Sequence, residues 1–398
     1  MTQMLDPELF LPEPDPATVK YTVISVDDHL VEPPDMFEGR LPARLQEHAP
    51  KVVVNEHGHE VWEFEGQNHY QAGMNAVAGR RPESVKVEPF RFDQMRPGCY
   101  EPDARVRDMD LGGIWASLNF PSMITGFCGR VYSAAKDVEV GYAVTQAFND
   151  WVHDEWWQRH PERFIPLGIT YLADPEKAAA EIRRNADRGF VSVSLPERPH
   201  KIGFPSIFNE YWEPVIQACV ETDTVISLHV GSSGMADIAP DAPPVGLTST
   251  LFGQLSLTAA AEWLWSGWML RYPDLKIAMS EGGIGWVAML LDRLDNIVDR
   301  SGYLSSGYDA RNRPADVLRR NFWFCTLDDP STIDTRYRIG VENIMVETDY
   351  PHGDGTWPVT QAEIDKYWGH LPVEELRAIT HENAAKLFRH PLPEVPRP

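Results

Sequence analysis

Ionisable side chains recur at the ends of apolar, β-branched segments of this sequence. Asp27 and His29 lie two residues apart in VISVDDHL, so both would point to one face of a strand. His229, Glu281 and Asp349 close three later segments of the same kind, SLHVGSS, MSEGG and ETDYPH. Unpaired charges are not tolerated in a protein interior, and a divalent cation held by imidazoles and carboxylates is a common solution. The sequence therefore predicts a metal site built from these five residues.

Each of these residues alone has an ordinary explanation. A single Asp or His at a strand end is more often a hydrogen-bonded core residue or a helix N-cap than a metal ligand. The set favours a metal because one pocket would have to satisfy all its members. Two neighbours of Asp349 are left open. His352 would either orient that carboxylate or cap its loop, and Glu347, deeper on the same face, needs a partner that the sequence does not name.

The elements that would position these residues follow a regular order. Short apolar runs alternate with longer amphipathic stretches from Thr22 onward, the pattern of a parallel sheet with crossover helices. Eight βα units indicate a (β/α)8 TIM barrel, in which the carboxyl ends of all strands meet at one face. A doubly wound open sheet is the alternative fold, but no GxGxxG motif follows the first strand. The predicted strands cover residues 23–30, 113–121, 164–171, 190–197, 224–232, 276–283, 321–328 and 343–350.

The residues beyond a minimal barrel fall into two long insertions. Residues 31–112 separate the first two predicted strands, and a second insertion, from Gly234 to about Leu275, follows the fifth strand. Both leave from carboxyl strand ends, so they would cover the catalytic face, and we call residues 31–112 the roof. Within the roof, residues 51–67 alternate around Gly58 and predict a β-hairpin. The expected organisation is an extended arm over residues 1–20, one barrel domain over 21–390 and a tail over 391–398.

Composition narrows the classes of partner. The chain has 398 residues, with 36 Lys and Arg against 59 Asp and Glu, and its net charge is −23. Nucleic acids and anionic membranes require concentrated positive charge, so neither is expected as a partner. The four cysteines are widely spaced, and residues 1–20 carry neither a basic n-region nor an apolar h-region, which predicts a cytoplasmic protein. The proline-rich arm would lie on another surface, such as a second subunit, and we expect a homo-oligomer, a dimer or larger.

Residues of the roof and of the strand-end loops are candidates for binding a substrate. Between Arg80 and Arg107, seven basic residues stand against five acidic ones, a local charge of +2 that contrasts with the whole chain. A guanidinium there could grip a carboxylate in bidentate fashion, although a solvated face with ordinary ion pairs is the simpler explanation for any one Arg. We therefore expect a small anionic substrate. The candidate substrate-binding residues are Arg91, Arg96, Arg130, Trp286, His352 and Trp357.

Five motifs carry a resemblance to a known family. VDDHLVEPPDMF, RVRDMDLGGI, SLHVGSS, SEGGIGW and ETDYPHGDGTWP resemble the metal-dependent amidohydrolase superfamily, in the branch related to aminocarboxymuconate semialdehyde decarboxylase. The resemblance extends over nearly the whole chain. It implies that Asp27, His29, His229 and Asp349 bind one divalent metal ion. Many members begin with His-x-His, and the oxygen donor of Asp27 hardens the site, so Zn²⁺ is expected first, with Mn²⁺ or Fe²⁺ as alternatives.

A second departure from the family bears on the reaction. Decarboxylases of this branch usually carry His in the sixth-strand motif, where this chain has Glu281, and similar carbon–carbon hydrolases use Glu. We therefore expect a hydrolase that uses a metal-activated water to cleave a C–C or amide-like C–N bond of a small aromatic or cyclic acid. Asp349 would be the general base, with Glu281 and His229 completing the catalytic set. The alternatives are a non-oxidative decarboxylase of an aromatic or muconate-type acid and a non-catalytic metal-binding barrel.

Overall fold

Parallel strands alternate with helices through most of the chain, in a computed structural model that describes residues 5–70, 73–85, 91–302, 307–327 and 329–397. The strands in these ranges are β1 (Ile24–His29), β2 (Lys51–Val54), β3 (Glu60–Phe64), β4 (Gln67–His69), β5 (Ala116–Phe120), β6 (Phe164–Ile165), β7 (Leu167–Ile169), β8 (Ser192–Leu195), β9 (Val225–His229), β10 (Ile277–Ser280), β11 (Phe322–Thr326) and β12 (Ile344–Val346). The helices are α1 (Pro102–Gly112), α2 (Arg130–Ser133), α3 (Val138–Trp151), α4 (Pro175–Asp187), α5 (Glu213–Glu221), α6 (Pro244–Thr250), α7 (Phe252–Trp265), α8 (Trp268–Arg271), α9 (Gly285–Ser301), α10 (Pro314–Asn321), α11 (Arg336–Ile339), α12 (Thr360–Trp368), α13 (Val373–Arg377) and α14 (Asn383–Phe388).

The strands around the centre of the fold are parallel to their neighbours. β5 lies between β1 and β6, and β7 to β12 are neighbours in the order in which they occur in the chain. Two backbone hydrogen bonds join β1 to the segment after β12, from the His29 amide to the Tyr350 carbonyl (2.6 Å) and from the Asp349 amide to the Asp27 carbonyl (2.8 Å). This arrangement is the predicted (β/α)8 barrel. The alternative of a doubly wound open sheet is wrong, because the two edges of such a sheet would stay apart.

The third barrel strand differs from its prediction. The sequence predicts one strand over residues 164–171, whereas the structure has two short strands, β6 and β7, on either side of Pro166. Proline has no backbone N–H and cannot donate to a neighbouring strand, so the ladder is interrupted there. The eighth strand is also shorter than predicted, since β12 ends at Val346. The last residue of the predicted strand over 321–328 lies outside the described residues.

Asp28 holds the segment after β12 against β1. The register between β1 and β5 shifts between Ser25 and Asp28, which marks a β-bulge in β1. The buried Asp28 Oδ1 accepts hydrogen bonds from the Ser25 hydroxyl (3.0 Å), the Thr348 hydroxyl (2.6 Å) and the Tyr350 amide (3.0 Å). Asp28 is thus a structural residue, and it fixes the backbone on both sides of Asp349.

The roof contains the predicted hairpin. β2 and β3 pair antiparallel, with Val54 opposite Glu60, around a turn in which Gly58 has a φ of +78°. This positive φ favours glycine because a Cβ would be strained there. β4 extends the hairpin to a three-stranded sheet, with Trp62 opposite His69, and this third strand was not predicted. Residues 71–72 and 86–90 of the roof lie outside the described residues.

The N-terminal arm and the tail both lie on their own chain. The Leu11 amide donates to the Gly79 carbonyl of the roof (2.9 Å), and the neighbouring Phe10 side chain is buried. The arm therefore covers a surface of the same chain, where the sequence analysis expected a surface such as that of a second subunit. At the other end, the Arg397 amide donates to the Thr22 hydroxyl (2.7 Å), which places the tail beside the start of β1.

Apolar side chains close one end of the barrel interior. They form a buried cluster with α14, whose Phe388 lies against the strands. The polar residues singled out in the sequence occupy the opposite, carboxyl-terminal end of the strands. Within the described ranges, none of the helices combines the length and the apolar character that crossing a membrane requires. The strand residues in this apolar cluster include Ile24, Ala116, Leu118, Val225, Ala278 and Met345.

Candidate metal centre

Two barrel strands bring three ligand-type side chains into one buried space. Asp27 and His29 come from β1, and His229 is the last residue of β9. The Nε2 atoms of His29 and His229 are 3.0 Å apart. Asp27 Oδ1 lies 3.6 Å from His29 Nε2 and 3.4 Å from His229 Nε2. The three atoms therefore surround a single point inside the mouth of the barrel.

Two carboxylates join this group from the segments that follow β10 and β12. Asp349 Oδ1 is 3.4 Å from His29 Nε2, and Glu281 Oε2 is 3.5 Å from His229 Nε2. Both residues have left-handed backbone, with φ of +52° at Asp349 and +64° at Glu281. Such a conformation is uncommon for Glu and persists only where the surroundings impose it. All five residues predicted for the metal site thus lie together.

Glu347 supplies part of that support and has the partners that the sequence did not name. Its Oε2 accepts a hydrogen bond from the Glu281 amide (3.0 Å) and one from the Cys325 thiol (2.5 Å). Ligand-type atoms of Glu347, Cys325 and Asp27 lie within 4.8 Å of one another. Glu347 therefore fixes the backbone of Glu281 and lies beside the lower part of the centre.

The side chains of this cluster fit one divalent metal ion. Among the described residues, neither carboxylate oxygen of the fully buried Asp27 has a hydrogen-bond partner. Nitrogen and oxygen ligands about 2.0–2.2 Å from one ion lie roughly 3.0–3.5 Å from each other, which is the spacing found here. Imidazole and carboxylate are donors that suit divalent transition metals. Asp27, His29, His229 and Asp349 are the residues whose atoms face this point.

The electrostatics of the cluster call for positive charge. Burial raises the pKa of Asp27 to about 6, although His229 opposes this. Burial lowers the pKa of His229, but Asp27 and Glu281 more than offset this effect and raise it to about 9. Burial together with the neighbouring His352 and His229 holds the pKa of His29 well below its ordinary value, so His29 is neutral, the form that binds metals. A divalent cation would balance the buried carboxylates in place of shared protons.

Contacts outside the cluster orient its imidazoles. His229 Nδ1 lies 2.6 Å from the Val230 carbonyl, so it donates its proton there, and Nε2 is the nitrogen left to face a metal ion. The Phe127 ring is stacked on His229 with centroids 4.9 Å apart, and the His352 ring is stacked on His29 at 3.7 Å. Both predicted histidine ligands are therefore held with Nε2 directed at the centre.

His352 connects the centre to the roof. Its Nδ1 lies 2.9 Å from Asp349 Oδ1 and 3.9 Å from Glu281 Oε1, and its Nε2 is 3.0 Å from the Asn75 amide nitrogen. Burial lowers the pKa of His352, but the Asp349 and Glu281 carboxylates outweigh burial and raise it well above its ordinary value. Of the two roles left open for His352, these contacts favour the one in which it orients Asp349.

The predicted arginines of the roof are engaged with other parts of the protein. Arg91 forms an exposed ion pair with Asp93. Arg96 is buried, and its guanidinium donates to both Asp108 oxygens and both Glu13 oxygens. Because the hydrogen-bonding capacity of Arg96 is used in this way, its contacts support a structural role and not the expected binding of a substrate.

The two predicted tryptophans pack beneath the loops and do not contact the metal-site side chains in the interactions described. Trp357 Nε1 donates to the Asp108 carbonyl (2.7 Å), and its ring lies under the Arg96 guanidinium with a separation of 4.5 Å. Trp286 Nε1 donates to the Gly282 carbonyl (3.0 Å), and its ring meets Phe324 edge to face. Both residues are mostly buried, so they support the loops that carry Glu281 and Asp349.

Three residues near the centre were missed in the sequence. Asn75 lies in a single 3-10 turn (Gly73–Ala76) and Phe127 in a loop, and no sequence signal marks them. Glu197 follows β8 and could have been found by the same rule of polar residues at strand ends. It is buried, its Oε2 accepts the Gly231 amide (3.1 Å), and burial raises its pKa to about 8.

Comparison with protein families decides the relationship suggested by the motifs. The family model described as amidohydrolase matches residues 54–390. The chain belongs to the amidohydrolase family. The match covers all of the predicted metal site except Asp27 and His29, which precede it. The predicted membership is therefore confirmed.

Two curated relatives of this amidohydrolase are decarboxylases. Gamma-resorcylate decarboxylase from Rhodococcus jostii is 26% identical over 278 residues, which cover 64% of this chain and 82% of the relative. Decarboxylase orsB from Emericella nidulans is 26% identical over 344 residues, 81% of this chain and 96% of the relative. These relatives favour the decarboxylase alternative over the hydrolase that Glu281 suggested.

Solved structures share the fold of this amidohydrolase. An amidohydrolase from Mycobacterium avium subsp. paratuberculosis has a TM-score of 0.73 and 24% identity, covering 93% of this chain and 100% of that one. 5-Carboxyvanillate decarboxylase LigW2 from Novosphingobium aromaticivorans has a TM-score of 0.64 and 18% identity, covering 95% and 100% of the two chains. The structure of the latter contains bound manganese and a substituted nitrobenzoic acid.

Proposed function

We propose that this amidohydrolase is a metal-dependent decarboxylase that removes CO₂ from a small aromatic acid. The observation that carries the proposal is the 26% identity to two decarboxylases, over 278 and 344 residues, combined with a centre of ligand-type side chains at the barrel mouth. The net negative charge of the chain disfavours a polyanionic partner such as a nucleic acid. An aromatic carboxylate agrees with the small anionic substrate expected from the sequence.

The residues that would hold the metal are Asp27, His29, His229 and Asp349, and we propose Mn²⁺ in preference to Zn²⁺. Two of these four residues offer carboxylate oxygens, which suit a harder ion. The bound manganese of the LigW2 structure supports the same choice. When bound, a divalent ion supplies a Lewis acid that can hold the carboxylate and an adjacent oxygen of an aromatic acid.

Asp349 is placed to carry the proton that the reaction needs. Its Oδ1 lies 2.9 Å from His352 Nδ1, so a proton held between these two groups can reach a substrate at the barrel mouth. The bond between the ring carbon and the carboxyl carbon breaks, its electron pair stays on the ring carbon, and that carbon takes a proton from Asp349 as CO₂ leaves. His352, 2.9 Å from Asp349, is positioned to return a proton to Asp349 for the next cycle.

Isotope labelling separates this reaction from hydrolysis. The Mn²⁺-loaded protein is incubated with hydroxybenzoic acids in D₂O and, separately, in H₂¹⁸O, and the organic products are analysed by mass spectrometry. Decarboxylation places one deuterium on the ring carbon and no ¹⁸O in the organic product. Products with one ¹⁸O in a new carboxylate and no CO₂ release would overturn the proposal.

Hydrolysis remains the second candidate because of Glu281. Its carboxylate lies 3.5 Å from His229 Nε2, where it could deprotonate a water in the centre. Glu281→Gln removes that basicity and keeps the side-chain volume. A hydrolase would lose most of its turnover in this variant, whereas the proposed decarboxylase, whose proton comes from Asp349, would retain it within about tenfold.

A further inference from the structure

A cavity lies between the roof sheet and the segment after β5. Its volume is about 610 Å³, within the range of roughly 300–1,000 Å³ found for small-molecule sites. The wall is formed on one side by the roof sheet, with Phe64 and His69, and on the other by the segment after β5, with Met123 and Arg130. Ile202, from the loop after β8, completes an apolar surface that has charged groups at its edge.

Arg130 stands in this cavity without a partner. Unlike Arg91 and Arg96, it forms no ion pair and no side-chain hydrogen bond with any residue in the part of the chain that the structure describes. A Cβ on Gly126 would lie 2.4 Å from both Cγ and Nε of Arg130, so the arginine side chain crosses the space that the glycine leaves open. Gly126 also has a φ of +64°, which favours glycine.

The charges around Arg130 leave the cavity positive. The carboxylate of Glu65, which also lines the cavity, accepts hydrogen bonds from the backbone amides of Lys136 and Asp137 and is therefore engaged with the start of α3. Lys136 contributes a second cation to the lining. Burial lowers the pKa of His69, and the charge of Arg130 acts in the same direction. An anion would meet the Arg130 guanidinium in a lining of net positive charge.

We propose that this cavity binds a small organic acid, with Arg130 gripping its carboxylate. A guanidinium presents paired N–H donors that match a carboxylate, while Phe64, Met123 and Ile202 would contact the apolar body of the ligand. The same segment that carries Arg130 also carries Phe127, whose ring is stacked on His229 of the metal centre. The ligand is therefore either a second acidic group of the substrate or a separate organic acid, and the proposal does not depend on which reaction the centre catalyses.

Calorimetric titration of the metal-loaded protein tests the site directly. The probes are benzoate, with one carboxylate, and isophthalate, with two, each titrated into wild type, Arg130→Gln, Arg130→Lys and the control Arg44→Gln. Arg44 is an exposed arginine that pairs with Glu139 and does not line the cavity. Because charge-assisted hydrogen bonds are lost, Arg130→Gln should weaken binding at this site by roughly 10- to 100-fold, Arg130→Lys by less, and Arg44→Gln should match wild type.

The change in binding of the two probes shows whether the acid belongs to the substrate or to a separate ligand. Weaker binding of isophthalate alone indicates a second acidic group of the substrate, whereas loss of one of two benzoate sites per chain indicates a separate ligand. Gly126→Ala should reproduce the effect of Arg130→Gln with the guanidinium still present, because the new methyl group displaces the side chain. Equal affinity and stoichiometry for both probes in wild type and a folded Arg130→Gln variant would overturn the proposal.

Discussion

Asp349 combines two tasks that its surroundings make compatible. Its Oδ1 lies 3.4 Å from His29 Nε2 of the metal site and 2.9 Å from His352 Nδ1. The left-handed backbone at Asp349, held by the hydrogen bonds of Asp28 to the residues on either side, aims the carboxyl group into the barrel. Metal ligand and proton carrier can thus be the same residue, because the same Oδ1 atom lies near a metal-site histidine and near the His352 imidazole.

Replacing Asp349 by Asn tests the catalytic assignment. We expect the fold to be kept, since Asn also tolerates a left-handed backbone, and turnover to fall roughly 100- to 10,000-fold through loss of the proton donor. The measurements are CO₂ release, metal content by mass spectrometry and thermal unfolding. Asp292→Asn, an exposed carboxylate paired with Arg338, is the control and should be fully active. A near wild-type rate in Asp349→Asn would show that another group donates the proton.

At this scale the sequence predicted the ligand-type residues and not their surroundings. Asp27, His229 and Asp349 could be predicted because the carboxyl ends of parallel strands converge, regardless of how the loops fold. Asn75 could not be predicted, since it reaches the centre from a roof segment whose path depends on tertiary packing. Arg96 was expected to bind the substrate for a related reason, because the sequence does not reveal that Asp108 and Glu13 lie beside it.

Among the elements, the buried carboxyl group of Glu32 ties the loop after β1 to the loop after β5. Glu32 accepts hydrogen bonds from the Ser122 amide (2.9 Å) and from the Ser122 hydroxyl. Burial outweighs these hydrogen bonds and raises the pKa of Glu32 to about 7. The folded protein therefore holds a proton on Glu32 at pH values where the unfolded chain has lost it.

The stability of the fold should depend on pH through Glu32. Between the ordinary pKa of Glu and pH 7, the folded state keeps a proton on Glu32 that the unfolded chain has lost. The free energy of unfolding therefore falls as pH rises through this range, by about 3 kcal/mol in total, and levels off above pH 7. Glu32→Gln lacks this dependence. Urea denaturation of both proteins from pH 5 to 8 should show the wild type losing stability relative to the variant. Parallel curves across this range would contradict a raised pKa.

The barrel elements were predicted better than the roof elements. Hydrophobic runs and their spacing were enough to locate the strands, but the break at Pro166 and the early end of β12 depend on local hydrogen bonding that periodicity does not report. β4 was missed because Gln67–His69 is short and polar and forms a strand only by pairing with β3. Tertiary pairing there overrides a weak local preference.

Across the whole molecule, Arg96 connects parts that are distant in sequence. It joins the arm through Glu13 and α1 through Asp108, and Asp108 in turn accepts the Tyr350 hydroxyl from the segment after β12 (2.5 Å). The arm, the roof and the catalytic face are therefore held by one buried network. The expected homo-oligomer and cytoplasmic location stay predictions.

Arg96→Met should destabilise the protein without changing substrate affinity. Breaking a buried ion pair leaves Asp108 uncompensated and costs about 3–5 kcal/mol, measured as a shift in urea denaturation. The exposed Arg91–Asp93 pair provides a contrast, because Arg91→Gln should cost less than about 1 kcal/mol. A rise in KM of Arg96→Met at a temperature where it is fully folded would instead indicate contact with the substrate.

Metal removal should affect stability as well as activity. A ligand that binds only the folded state stabilises it by about 2.7 kcal/mol when present at 100 times its Kd, so chelation should lower the melting temperature and abolish turnover, and Mn²⁺ should restore both. His29→Ala, which lacks one predicted ligand, should show little change on chelation. Identical melting curves of the wild type with and without chelator would contradict a resident metal ion.

The left-handed backbone at Glu281 has an evolutionary consequence. Among residues other than glycine, such positions accept Asn, Asp and His more readily than Glu. An imidazole at this position would meet no added backbone penalty, while Glu347 would still hold the amide of residue 281 through a main-chain contact. Residue 281, in the loop after β10, can thus be exchanged between a carboxylate and an imidazole while the metal ligands stay unchanged. An ancestral protein with this barrel could in this way have changed the reaction that it catalyses.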